Sequence, residues 1–122
     1  NVLNEAFLER FPVTFEQEYP PVSVEKRILG GVASHLGVTD TNFIARLVDW
    51  GDIIRKTFYD GGIEEIISTR RLVHIVRAFS IFKNKSKALQ VCINRFDDET
   101  KQAFLELYDK VDAEFELPNK ES

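Results

Sequence analysis

An arginine in the first turn of a helix lies beside free backbone amides that already carry partial positive charge. It is locally unfavourable there unless an anion completes the site. "ISTRRLVHIVRAF", residues 67–79, has this arrangement. Ser68 is the expected N-cap, Thr69 opens the helix and Arg70 follows. A guanidinium and free amides converging on one side suit a phosphate. A second arginine, Arg10, precedes Phe11 at the end of "NVLNEAFLERF", where Pro12 forces the chain out of helix. Phe11 can pin the backbone there while Arg10 projects outward. Taken alone, either residue reads first as a solvated surface arginine.

Other chemistry is thinly represented. There is no Gly-x-x-x-x-Gly-Lys-Ser/Thr loop, no strand ending in paired acids and no nucleophile elbow. One cysteine, Cys92, and two histidines, His35 and His74, give no metal-site spacing. Asp49, Asp52, Glu64 and Glu65 read as solvated carboxylates, and His74 as a polar-face or core-edge residue. Trp50 reads as packing at a helix contact, and Cys92 as an inert core thiol.

The 16 Lys and Arg against 20 Asp and Glu leave a net charge of -4. That argues against broad binding to nucleic acid, and against placing Arg70, Arg71 and Arg77 in a DNA groove. No apolar run is long enough to span a membrane and no signal peptide is visible, so the expected compartment is cytoplasmic. No methionine occurs anywhere. Together with a start that reads as mid-element, this leads us to expect a piece of a longer protein.

The elements that must position the arginines are mostly helices. Leu3, Ala6, Phe7 and Phe11 recur at helical spacing in residues 1–11, and Val13 to Glu16 alternate as a short strand. "YPPVS" is an extended connector. Helices are then expected over Val24–Leu36, capped by Ser23 and stopped by Gly37, and over Thr41–Phe58, opened by Asp40. Ile28, Leu29, Val32 and Leu36 should face inward in the former; Phe43, Leu47, Ile54 and Phe58 in the latter, with Ile44 and Val48 beside them. The third spans Thr69–Phe82, burying Leu72, Ile75, Val76 and Phe79. The fourth spans Lys85–Asn94, with Leu89, Cys92 and Phe96 inward. The fifth is capped by Asp97 and buries Phe104, Leu107, Tyr108 and Val111. Residues 63–67 are too short to assign, and "LPNKES" is a polar tail. The expected fold is mainly α, a bundle of about five helices preceded by a short helix and an orphan strand.

Taken together, these pieces resemble the MoxR-like AAA+ ATPases. "LNEAFLERFPVTFEQEYPPVSVEKRIL" is similar to the stretch that follows their sensor 1 region: an Arg-Phe helix end, a strand, a Tyr-Pro segment, then Glu25 opening a helix. "GGIEEIISTRRLVHIVRAF" resembles their sensor 2 segment through Gly62, Ser68, Thr69, Arg70 and Leu72. The nearest branch contains the ATPase subunit of cobalt chelatase and the rubisco- and nitric-oxide-reductase-activating ATPases.

The resemblance implies a remnant of an α/β ATPase core over residues 1–22, a helical lid over 23–117 and a tail over 118–122. It implies that Arg10 is an arginine finger acting on the neighbouring subunit. It makes Arg70 the sensor 2 residue, meeting nucleotide phosphates with Ser68 and Thr69 beside it. ATP and magnesium would be held by a parent protein, a homo-oligomer (a hexameric ring) that remodels or activates an unidentified protein substrate. The phosphate-gripping half would precede Asn1, so this chain alone is expected to be inactive, and the Val13–Glu16 strand lacks its sheet. The competing reading is a self-contained helical module that binds a protein partner and no nucleotide.

Overall fold

The computed structural model describes residues 19–114. They form five helices: α1 (Val22–His35), α2 (Thr41–Tyr59), α3 (Thr69–Phe82), α4 (Lys85–Ile93) and α5 (Asp98–Val111). There is no strand among the described residues. Arg10, the helical piece and strand expected over residues 1–16, and the tail lie outside them. No helix here is long and apolar enough to cross a membrane.

Four helix starts follow from their caps. Asp40 accepts from the Phe43 amide at 3.0 Å, Ser68 from Arg71 at 3.1 Å, Asn84 from Lys87 at 2.8 Å and Asp97 from Thr100 at 2.7 Å. Each side chain satisfies an amide that has no partner within its helix. The start of α1 differs from expectation. Its N-cap is Pro21, with no side-chain bond, so the helix begins two residues before Val24 and Ser23 lies inside it. Proline at -55° already has a φ that leads into a helix, and the Pro21 carbonyl accepts from the Glu25 amide at 2.9 Å. Gly37, at φ 79°, allows the sharp exit after α1.

The inward face of α1 is narrower than its apolar residues suggested. Glu25, Leu29 and Ala33 are buried at i, i+4 and i+8, whereas Ile28 and Leu36 are exposed and Val32 is half-buried. A charged residue thus occupies the upper end of the buried stripe. α4 ends at Ile93, one residue earlier than expected. Phe58, Phe79, Phe96, Leu107 and Val111 are only half-buried, and all but Phe58 pack around the core edge.

α2 is the central element. It packs on α1, α5 and α3, while α3 pairs most extensively with α4. Trp50 of α2 is fully buried, and its indole donates to the Phe104 carbonyl at 2.8 Å, so α5 is both packed and hydrogen-bonded. Edge-to-face contacts run from Trp50 to Phe104 and Tyr108, and from Tyr108 to Phe43. Trp50 therefore packs at a helix contact, as its position in the sequence suggested. The remaining core is aliphatic, with Leu29, Leu47, Ile54, Leu72, Ile75 and Leu89 fully excluded from water.

Candidate functional site

The α3 start is built by the loop that precedes it. Gly61 takes φ 86° and the Gly62 amide donates to the Thr57 carbonyl at 2.8 Å, which turns the chain tightly after α2. A Cβ on Gly62 would meet the Thr57 methyl at 2.8 Å, so glycine is required for that turn. The loop then buries Ile67 and delivers Ser68 to its capping position.

Beneath this start lies a buried ion pair. Glu25, in the first turn of α1, has no exposed surface, and Arg55 of α2 is nearly as buried. The two guanidinium Nη atoms donate to the two carboxylate oxygens, each at 2.8 Å. Arg55 Nε donates to the Ile67 carbonyl at 3.0 Å, and the Thr69 hydroxyl donates to Glu25 Oε2 at 2.7 Å. The Arg55 guanidinium also lies 4.2 Å from the centre of the Tyr19 ring. One fork of charge thus joins α1, α2, the loop before α3, the first residue of α3 and the segment that leads into α1.

Burying two charges costs several kcal/mol per ion, and only good geometry with further hydrogen bonds offsets it. Both conditions hold here: the pair is bidentate, and its remaining polar atoms find partners. The N-terminal end of α1 adds a favourable field at Glu25. A glycine keeps the neighbourhood close. A Cβ on Gly51 would lie 3.1 Å from Leu72 Cδ1 and 3.7 Å from an Arg55 Nη atom, so its absence lets α3 approach α2.

Against this fixed base, the two consecutive arginines of α3 behave differently. Arg71 is half-buried and donates to the Cys92 carbonyl at 3.2 Å, tying α3 to the last turn of α4. Arg70 is exposed, and none of the described side chains forms an ion pair or hydrogen bond with it. Ser68 accepts through its oxygen and keeps its own O–H to donate. The Thr69 hydroxyl proton is committed to Glu25. Ser68, Thr69 and Arg70 thus stand together at one helix end, where the Arg70 side chain has no ion-pair or hydrogen-bond partner among the described residues.

The Arg55 side of the network opens into a cleft of about 550 Å³, walled by Tyr19, Pro20, Pro21, Lys56 and Tyr59. Asp52 and Asp60 add acidic groups at its edge. Elsewhere, Cys92 is buried in the core, and burial pushes its thiol above the usual value, only partly opposed by Arg71. His74 is exposed on the polar face. No group of three or more His, Cys, Asp or Glu side chains could hold a metal among the described residues.

Sequence reasoning had attached no role to Arg55. A signal was present: Leu47, Gly51 and Arg55 share an i, i+4, i+8 stripe, beside Ile54 and Phe58. A cation on an apolar stripe needs a buried anion, and Glu25 sits on the corresponding stripe of α1.

A family model described as CbbQ/NirQ/NorQ C-terminal matches residues 25–111, from the buried glutamate to the last residue of α5. No curated protein and no solved structure matches the chain.

Proposed function

The chain belongs to the CbbQ/NirQ/NorQ C-terminal family, the C-terminal region of a MoxR-like AAA+ ATPase, and from that premise we propose that it is a nucleotide-sensing lid. In this reading Arg70 is the sensor 2 residue. Its guanidinium meets phosphate oxygens of ATP bound by the ATPase core, with the α3 amides and the Ser68 hydroxyl beside it. Arg10 is the arginine finger directed at a neighbouring subunit of a ring. The motor's task is to remodel or activate a protein partner, as a metal-chelatase ATPase would.

The observation that carries this reading is the free Arg70 side chain on a helix start that the Glu25–Arg55–Thr69 network holds in place. Phosphoryl transfer spreads charge over the γ-phosphate oxygens, and a guanidinium stabilises that charge without covalent chemistry. Its value depends on being preorganised, which a pinned helix end provides. The residues present fit a phosphate. No group of acids, histidines or cysteine that could hold a metal occurs among the described residues, and in this reading the ATPase core would hold magnesium and grip the triphosphate. Thr69 contributes by orienting the helix through Glu25.

The test uses the longer protein that contains the core. Arg70→Ala should lower ATP turnover at least about tenfold, the scale expected when one charge-stabilising donor is removed. Arg10→Ala should abolish hydrolysis while leaving nucleotide binding intact. The isolated 122-residue chain should show no magnesium-dependent ATP hydrolysis. Turnover by the isolated chain that disappears in Arg70→Ala would refute the proposal.

A further inference from the structure

The net charge of -4 conceals a strong segregation. Residues 66–96 contain seven Lys and Arg and no Asp or Glu, so the rest of the chain, with nine cations and all 20 acids, stands at -11. This window covers α3 and α4, the most extensively paired helices. Of its seven cations only Lys85 meets a carboxylate among the described residues, Asp112 at 3.4 Å. Arg77, Lys83, Lys87 and Arg95 are exposed without an ion pair among the described residues. Outside the window, Lys26 pairs with Asp49, Lys56 with Asp52 and Lys101 with Asp98, whereas Arg27, Arg46 and Lys110 have no ion pair among the described residues.

The same hairpin displays apolar surface. Ile81 is 73% exposed, Val91 49% and Phe82 41%. Ile81 follows Arg77 by one helical turn, and Val91 follows Lys87 likewise, so each apolar residue stands next to a cation on its own helix. The Lys87 ammonium lies 5.3 Å from the centre of the Phe82 ring. A groove of about 570 Å³ runs beside them, lined by Phe82, Lys87, Gln90, Val91 and Asn94.

We propose that this α3–α4 face is a docking surface for an acidic amphipathic helix of a partner protein. The unpaired cations call for carboxylates, and the apolar residues between them call for side-chain anchors at helical spacing. Nucleic acid would use the charge but would leave aliphatic Ile81 and Val91 facing phosphate and sugar. Among the described residues, the acidic exposed face of α5 in a second copy would supply acid without an exposed large hydrophobic residue. The surface stands independently of the nucleotide reading. Arg70 lies eleven residues before Ile81, about 16 Å along α3, and is not part of it.

The probe is a synthetic helical peptide with glutamates on one face and leucines on the other, titrated into the 122-residue chain. Binding should weaken steeply with added salt. Amide shifts should move in the second half of α3 and in α4, and stay unchanged near Arg70. The double change Arg77→Glu and Lys87→Glu should cost about a hundredfold in affinity. Ile81→Ser with Val91→Ser should cost about tenfold. All four positions are exposed, so the thermal transition should hold. Lys110→Glu, on α5, should change nothing. The proposal is overturned if a peptide with alanine for leucine binds equally well, or if an oligonucleotide competes at equal salt. It is also overturned if sedimentation shows the chain self-associating through these same residues, or if the peptide does not bind.

Discussion

Two buried polar networks hold this bundle, one at each end of α3. At its start, Glu25 and Arg55 form a buried bidentate pair, extended to Ile67 and Thr69. Past its far end, Asp112 accepts from the Tyr108 hydroxyl at 2.8 Å and from Lys85 at 3.4 Å, joining the end of α5 to the start of α4. The first encloses a whole cation. The second leaves Lys85 partly exposed and bonded at longer range. A tight charged fork is a costly way to close a helix junction, since apolar residues of similar volume often do as well. Its placement directly under the free Arg70 makes sense if that end must be held in one geometry. The far network only has to close a helix.

The largest effect should come from unbalancing the buried pair. Glu25→Ala leaves Arg55 charged and unpaired, and should cost about 3–5 kcal/mol in urea unfolding. Tyr108→Phe removes one neutral-to-charged hydrogen bond and should cost about 1.5–3 kcal/mol. Equal losses would mean that the two ends are built alike. Thr69→Val should cost less, about 1 kcal/mol, because Arg55 still satisfies Glu25.

Acid probes the far network. Burial alone would raise the Asp112 carboxyl, but the Tyr108 hydroxyl, the Glu114 amide and Lys85 outweigh it, leaving its pKa below the ordinary value of 3.8. A depressed carboxylate pKa gives stability that is fully present above the unfolded value and is lost as pH falls through the folded one. Asp112→Asn should therefore flatten the decline in stability below about pH 4. Equilibrium unfolding across that range reads the difference directly.

The helix starts were legible because capping is local. Asp40, Ser68 and Asp97 each announce themselves in three or four residues. α1 escaped the same reading because Pro21 starts it through backbone conformation, leaving no side-chain signature. Ile28 and Leu36 were placed inward because hydrophobicity was read without the charged residue sharing the buried stripe. Glu25 and Arg55 stand thirty residues apart, and each is ordinary until the packing of α1 on α2 brings them together. Arg70 could be singled out from its position alone, whereas the structure that steadies it could not. The basic face of α3 and α4 was hidden by averaging charge over the whole chain.

In the proposed reading, Arg70 serves a ligand and not the fold. The direct measurement is the thermal transition and the ATP turnover of the longer protein, made side by side for Arg70→Ala and Arg71→Ala. Arg70→Ala should keep the transition within about 0.5 kcal/mol of the parent and lose turnover at least about tenfold. Arg71→Ala should instead lower stability, through its lost bond to the Cys92 carbonyl. Wild-type turnover in Arg70→Ala, or a loss of activity no larger than its loss of folded protein, would contradict the account.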